Sequence, residues 1–124
     1  KLFNNLGKTV ILEKESQIDA VTAISGSGPA YIFNFAETVI EIGKELGLSE
    51  QISKKIVLQT IVGAGLLANN SDKTPSKLRE NVTSPNGTTQ AALNILMDEK
   101  NGWHAIIKNA VFAAHKRSKN LAKN

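Results

Sequence analysis

Between Ile56 and Leu67 the chain is apolar on nearly every side of a helical projection, through Val57, Leu58, Ile61, Val62, Ala64 and Leu66. Ser49 is a good N-cap and Glu50 suits the first turn, so a helix is predicted to start there and run through this stretch. A helix that is apolar all round has to be buried on most sides. A chain of 124 residues, 41% of them hydrophobic, has room for one domain of common size with about five helices. Covering every side of one helix from within so small a body is difficult. A partner subunit is therefore expected to cover part of it, with Gly63 and Gly65 allowing another backbone to approach. The alternative is a central helix within a monomeric bundle.

The flanking stretches carry the same period. Ile32, Phe35, Ala36, Val39, Ile40, Gly43 and Leu46 share one helical face, Glu37, Glu41, Lys44 and Glu45 take the solvated side, and Gly47 is the C-terminal stop. Pro29 is tolerated only in a first helical turn, so this helix is predicted to begin near it. Before it, Ser16 and Asp19 are candidate N-caps of a helix anchored by Val21 and Ile24, which Ser25-Gly26-Ser27-Gly28-Pro29 interrupts. Those glycines invite a phosphate-loop reading. The dinucleotide fingerprint would need a third glycine where Tyr31 stands, and no clear buried strand precedes it, so close packing of two backbones is preferred. Trp103, Ile106, Ile107, Ala110, Val111 and Ala114 mark a last helix after a Glu99–Gly102 turn. At the start, Leu2, Phe3 and Leu6 with Gly7 read as a helix end, and Thr9–Leu12 as a short strand whose ladder partner must come from elsewhere.

Charge and composition narrow the function classes. Fifteen basic and eleven acidic residues leave a net charge of +4, compatible with acidic small molecules and weak as an argument for nucleic acid. The basic end, Lys116, Arg117, Lys119 and Lys123, offsets a helix dipole without any polyanion. With no Cys, disulfides and thiolate metal sites are excluded. His104 and His115 flank nothing metal-like, and Glu37 and Glu41 have no histidine in register, so no metal site is predicted. No stretch reaches the roughly 18 apolar residues of a membrane span and no signal peptide opens the chain, so a soluble, cytoplasmic protein is expected.

The densest chemistry lies between Leu78 and Asp98. Thr83, Ser84, Thr88 and Thr89 place hydroxyls around a Pro85-Asn86-Gly87 turn, in which Asn86 and Gly87 tolerate a left-handed backbone. An apolar helical pattern, Ala92, Ile95 and Leu96, starts at once behind it. A turn at a helix N-terminus offers unpaired N–H groups and a positive dipole end to a carboxylate or phosphate. Read locally, the same residues also fit nothing more than a well-capped helix.

Val82-Thr83-Ser84-Pro85-Asn86-Gly87-Thr88-Thr89 resembles the signature of the pyrroline-5-carboxylate reductases, which reads Val, Ser/Thr, Ser, Pro, Gly, Gly, any residue, Thr. Asp19-Ala20-Val21-Thr22-Ala23-Ile24-Ser25-Gly26-Ser27-Gly28-Pro29-Ala30-Tyr31 is similar to the family's other recurrent stretch. Asn86 departs from the pattern by replacing the first glycine, and Asn is the side chain that best mimics glycine at positive φ, so the turn is expected to survive. The resemblance implies an all-α C-terminal dimerisation domain of about five helices over residues 15–124. Residues 1–14 would be the tail of a preceding Rossmann-type cofactor domain. It further implies reduction of L-1-pyrroline-5-carboxylate to L-proline with NADPH or NADH, in a homodimer or higher homo-oligomer. Val82, Ser84, Gly87, Thr88 and Thr89 would bind the substrate, with N–H groups of Gly87, Thr88 and Thr89 on its carboxylate and Thr89 as the catalytic hydroxyl at the imine nitrogen. No cofactor-binding residue is assigned to this stretch of chain, which is expected to be inactive by itself. The competing expectation is a free-standing basic helical module that binds an acidic partner or nucleic acid, although the aromatic stacking residues of single-strand binders and any DNA-reading motif are lacking.

Overall fold

The computed structural model describes residues 9–122, and the order of its elements follows the apolar period. A 3-10 turn, Glu15–Gln17, leads into α1 (Ile18–Val21), which continues through a π turn, Thr22–Gly26. Then come α2 (Gly28–Glu45), α3 (Glu50–Asn69), α4 (Pro75–Asn81), α5 (Thr88–Leu96) and α6 (Trp103–Leu121). The described residues thus hold five full helices, α2 to α6, and no strand, the all-α architecture that the resemblance implies.

Three local expectations need correcting. Thr9–Leu12 forms no strand, and Val10 and Ile11 are 77% and 92% exposed, because an extended segment with no second strand beside it has no ladder to join. The helix end expected at Leu2–Gly7 lies outside the described residues. Neither Ser16 nor Asp19 caps the first helix. Instead the Gln17 side-chain oxygen accepts from the N–H groups of Glu13 and Lys14, each at 3.0 Å, and Asp19 is engaged elsewhere. Finally, α4 was not expected, although Thr74-Pro75 spells a start signal: Thr74 Oγ1 accepts from Lys77 N at 3.3 Å and Pro75 occupies the first helical turn.

The chain divides into two compact units, Lys1–Pro29 with Asn109–Asn124, and Ala30–Lys108. In the first, Ala23 is only 1% exposed and the Ser118 hydroxyl donates to Asp19 Oδ1 at 2.6 Å, tying the π-turn region to α6 across 99 residues of chain. Beside that bond lies an open apolar cavity lined by Ala20, Ala23, Ile24, Val111, Phe112 and His115.

In the second unit α2 and α3 form a helical hairpin. Gly47, at φ +92°, closes α2 in a Schellman motif, with Leu48 N donating to Gly43 O at 3.0 Å and Gly47 N to Lys44 O at 2.9 Å. Ser49 then caps α3, its hydroxyl accepting from Ile52 N at 3.3 Å. The two helices meet where Gly43 faces Ser53: a Cβ at Gly43 would lie 2.6 Å from Ser53 Oγ. Ala36 and Val57 complete the buried seam, and Phe35 meets Trp103 edge to face at 5.8 Å. On its other side α3 is uncovered, with Ile52, Ile56, Leu58, Val62, Leu66 and Leu67 all 42–57% exposed. A Cβ added at Gly63 or Gly65 would meet open space.

Candidate functional site

The motif residues converge on the connection between α4 and α5. Helix α4 ends at Asn81, with Val82 as its C-cap donating to Arg79 O at 3.3 Å. Thr83 folds back onto the same helix: its N–H donates to Glu80 O at 3.0 Å and its hydroxyl to Arg79 O at 2.7 Å. The chain then reverses through Ser84-Pro85-Asn86-Gly87, closed by Gly87 N donating to Ser84 O at 3.1 Å. Asn86 sits at φ 59°, the left-handed position that a type II turn requires after its proline. Asn thus does the work of the family's glycine at that place.

Gly87 plays a different part from the one the sequence suggested. Its backbone is extended, φ −83° and ψ 175°, so left-handed freedom is not what it provides. A Cβ there would collide with Ser84 Oγ, and its N–H is consumed by the turn. Gly87 contributes space.

Helix α5 begins at Thr88 with Gly87 as N-cap, and no side chain caps it. Its first intrahelical bond runs from Ala91 N to Gly87 O at 3.2 Å, which leaves the N–H groups of Thr88, Thr89 and Gln90 without an acceptor among the described residues. The contrast with α3 and α4, where Ser49 and Thr74 do cap, argues against reading the motif as a cap only. The hydroxyls of Ser84, Thr88 and Thr89 make no hydrogen bond to another described residue, whereas that of Thr83 has already given its proton to α4. Ser84, Thr88 and Val82 are exposed and Thr89 is half-buried. Val82 to Thr89 contains no ionisable side chain, so any preference for charge comes from the backbone. Three N–H groups and adjacent hydroxyls suit a carboxylate edge, with Thr89 able to donate or accept beside it.

Sequence reasoning missed two residues here. Gln90 supplies the third open N–H, which the rule that helix starts leave their first donors unpaired could have flagged. Arg79 offers its carbonyl to Thr83 and lines a cavity of ≈ 250 Å³ with Phe35, Leu93, Leu96, Met97 and Trp103, a neighbourhood that only the fold assembles. Among the described residues no group of His, Asp and Glu is placed to hold a metal ion, and no helix is long and apolar enough to cross a membrane.

A model of the family described as pyrroline-5-carboxylate reductase dimerisation matches residues 15–121. The chain belongs to that family. Among curated relatives, the pyrroline-5-carboxylate reductase of Pseudomonas aeruginosa is 44% identical over 122 residues, covering 98% of this chain and 44% of the relative. That of Arabidopsis thaliana is 41% identical over 123 residues, 99% of this chain and 44% of its own. The fold agrees as well. The crystal structure of Plasmodium falciparum pyrroline carboxylate reductase with NADP bound superposes with a TM-score of 0.85 at 42% identity, over 96% of this chain and 44% of that one. The Coxiella burnetii pyrroline-5-carboxylate reductase gives 0.87 at 34% identity, over 98% and 47%. The chain therefore spans less than half the length of the pyrroline-5-carboxylate reductases it matches.

Proposed function

We propose that this chain is the dimerisation and substrate-binding part of an enzyme that reduces L-1-pyrroline-5-carboxylate to L-proline, the last step of proline biosynthesis, using NADPH or NADH. The observation that carries this reading is the uncapped start of α5: open N–H groups on Thr88, Thr89 and Gln90 behind the Ser84–Gly87 turn, in a chain of this family. The substrate carboxylate rests on those N–H groups with the Ser84 hydroxyl beside them, and the helix dipole adds fixed positive potential. Val82 lies at the rim, 62% exposed. Thr89, half-buried and without a hydroxyl partner among the described residues, hydrogen-bonds near the imine nitrogen, orienting the ring as that nitrogen becomes an amine.

The reduced nicotinamide supplies the hydride. The residues described do not fit its pyrophosphate: Gly26-Ser27-Gly28 stands within a helical run and no strand precedes it, so the strand–turn–helix cradle is absent from them. We assign that site to the part of the longer relatives that this chain does not span, with residues 1–14 as the edge of that domain. The uncovered side of α3 pairs with a second copy, making a homodimer or a higher homo-oligomer. A cytoplasmic location suits such a small-molecule reductase.

Family membership and the α5 start together favour this reading over a free-standing basic interaction module. The test is substrate-dependent oxidation of NADPH or NADH by the whole enzyme, with proline identified as product. An intact, folded enzyme that oxidises neither would refute it.

A further inference from the structure

We infer that Thr83 is a positioning residue of this site, holding the α4–α5 connection so that the donors of Thr88, Thr89 and Gln90 converge on one carboxylate; this rests on the functional reading above. Thr83 is the motif hydroxyl that points away from the turn. It donates to Arg79 O at 2.7 Å, and the Thr83 N–H donates to Glu80 O at 3.0 Å, so both donors of one residue are anchored on the last turn of α4. Arg79 also lines a cavity together with Leu93, Leu96 and Met97. Its guanidinium donates to Ser76 Oγ at 3.3 Å, one turn back in the same helix.

The connection is thus clamped at both ends. Thr83 ties its entry to α4, and the Gly87 N to Ser84 O bond at 3.1 Å closes its exit onto α5. Between Thr83 and Gly87 stand only Ser84, Pro85 and Asn86, and Pro85 has a fixed φ. Freedom at Thr83 would therefore be passed on to the direction of the Ser84 hydroxyl and of the α5 N–H groups. Because its proton is spent on Arg79 O, the Thr83 hydroxyl cannot donate to the substrate, and its influence runs through Ser84 and the backbone behind it.

Steady-state kinetics and thermal melts of the whole enzyme, compared with its Thr83→Val and Thr83→Ser variants, test this. Val keeps the shape and loses the hydrogen bond, and Ser keeps the bond. Thr83→Val is expected to raise KM for pyrroline-5-carboxylate about tenfold, the effect of one positioned hydrogen bond, while KM for the nicotinamide stays within about twofold and Thr83→Ser restores the parent value. An active parent whose Thr83→Val variant keeps the parent KM overturns the inference and leaves the functional reading intact. So does a Thr83→Val variant that loses affinity for both substrates, melts lower and is not rescued by Ser. A folded parent that makes no proline overturns the functional reading and this inference with it.

Discussion

At the scale of single residues, side chains of similar chemistry carry different duties. Thr83 faces α4, while the hydroxyls of Ser84, Thr88 and Thr89 have no partner among the described residues. Because Thr89 caps nothing, Thr89→Ala in the whole enzyme should cost little thermal stability. It should lower kcat about 100-fold, as loss of a positioned proton-handling group does. Thr88→Ala, on the exposed side of the same turn, should be milder in both; similar small rate losses with a clear fall in melting temperature for Thr89→Ala would reduce Thr89 to a structural role. A second pair of residues tests packing alone. Ser53 is 0% exposed and its Oγ has no hydrogen-bond partner among the described residues, so Ser53→Ala should stabilise the protein, by about 1 kcal/mol in chemical denaturation. Gly43→Ala should destabilise it by about 1–3 kcal/mol, because the new methyl would stand 2.6 Å from Ser53 Oγ. The Ser53→Ala background should return part of that loss, and strict additivity would show that the two residues are not in contact.

At the scale of elements, α3 is covered on one side and open on the other. Its Ser53 and Val57 side is sealed by α2, but Ile52, Ile56, Leu58, Val62, Leu66 and Leu67 remain 42–57% exposed, with Gly63 open beside them. An apolar face of that extent marks an interface. The whole enzyme should sediment at no less than twice its chain mass at micromolar concentration. Val62→Asp should shift it towards monomer and lower its melting temperature, since a buried carboxylate without a partner is costly. A folded monomer of the parent protein under those conditions would refute the assignment of this face.

At the scale of the whole molecule, the proposed function divides the work. The described residues present a turn with open N–H groups, which we propose binds the substrate, and an uncovered helix face, and they hold no strand–turn–helix unit for a dinucleotide pyrophosphate. The 124 residues by themselves should therefore show no tight, saturable NADPH binding by calorimetry and no proline formation. Saturable binding at micromolar concentration would place the cofactor site within them. The match over 98% of this chain but only 44% of the Pseudomonas aeruginosa relative fits such a division.

Much of the architecture was legible in the amino-acid sequence because helices are written locally. The apolar period set α2, α3, α5 and α6, and Gly47, Ser49 and Pro29 marked boundaries whose physics depends on a few neighbouring residues. The left-handed turn at Asn86 was legible for the same reason, since a backbone with positive φ admits few side chains. What depends on residues distant in sequence was decided by the tertiary structure. Asp19 was taken from capping by Ser118, Thr9–Leu12 found no strand to pair with, and Gly43 came to face Ser53. Within the motif, the sequence specified which hydroxyls and amides were available. The three-dimensional arrangement determined that Thr83 and Gly87 spend theirs on the scaffold while Thr88, Thr89 and Gln90 keep open N–H groups, because a hydrogen-bond donor serves one acceptor well and the fold chooses which.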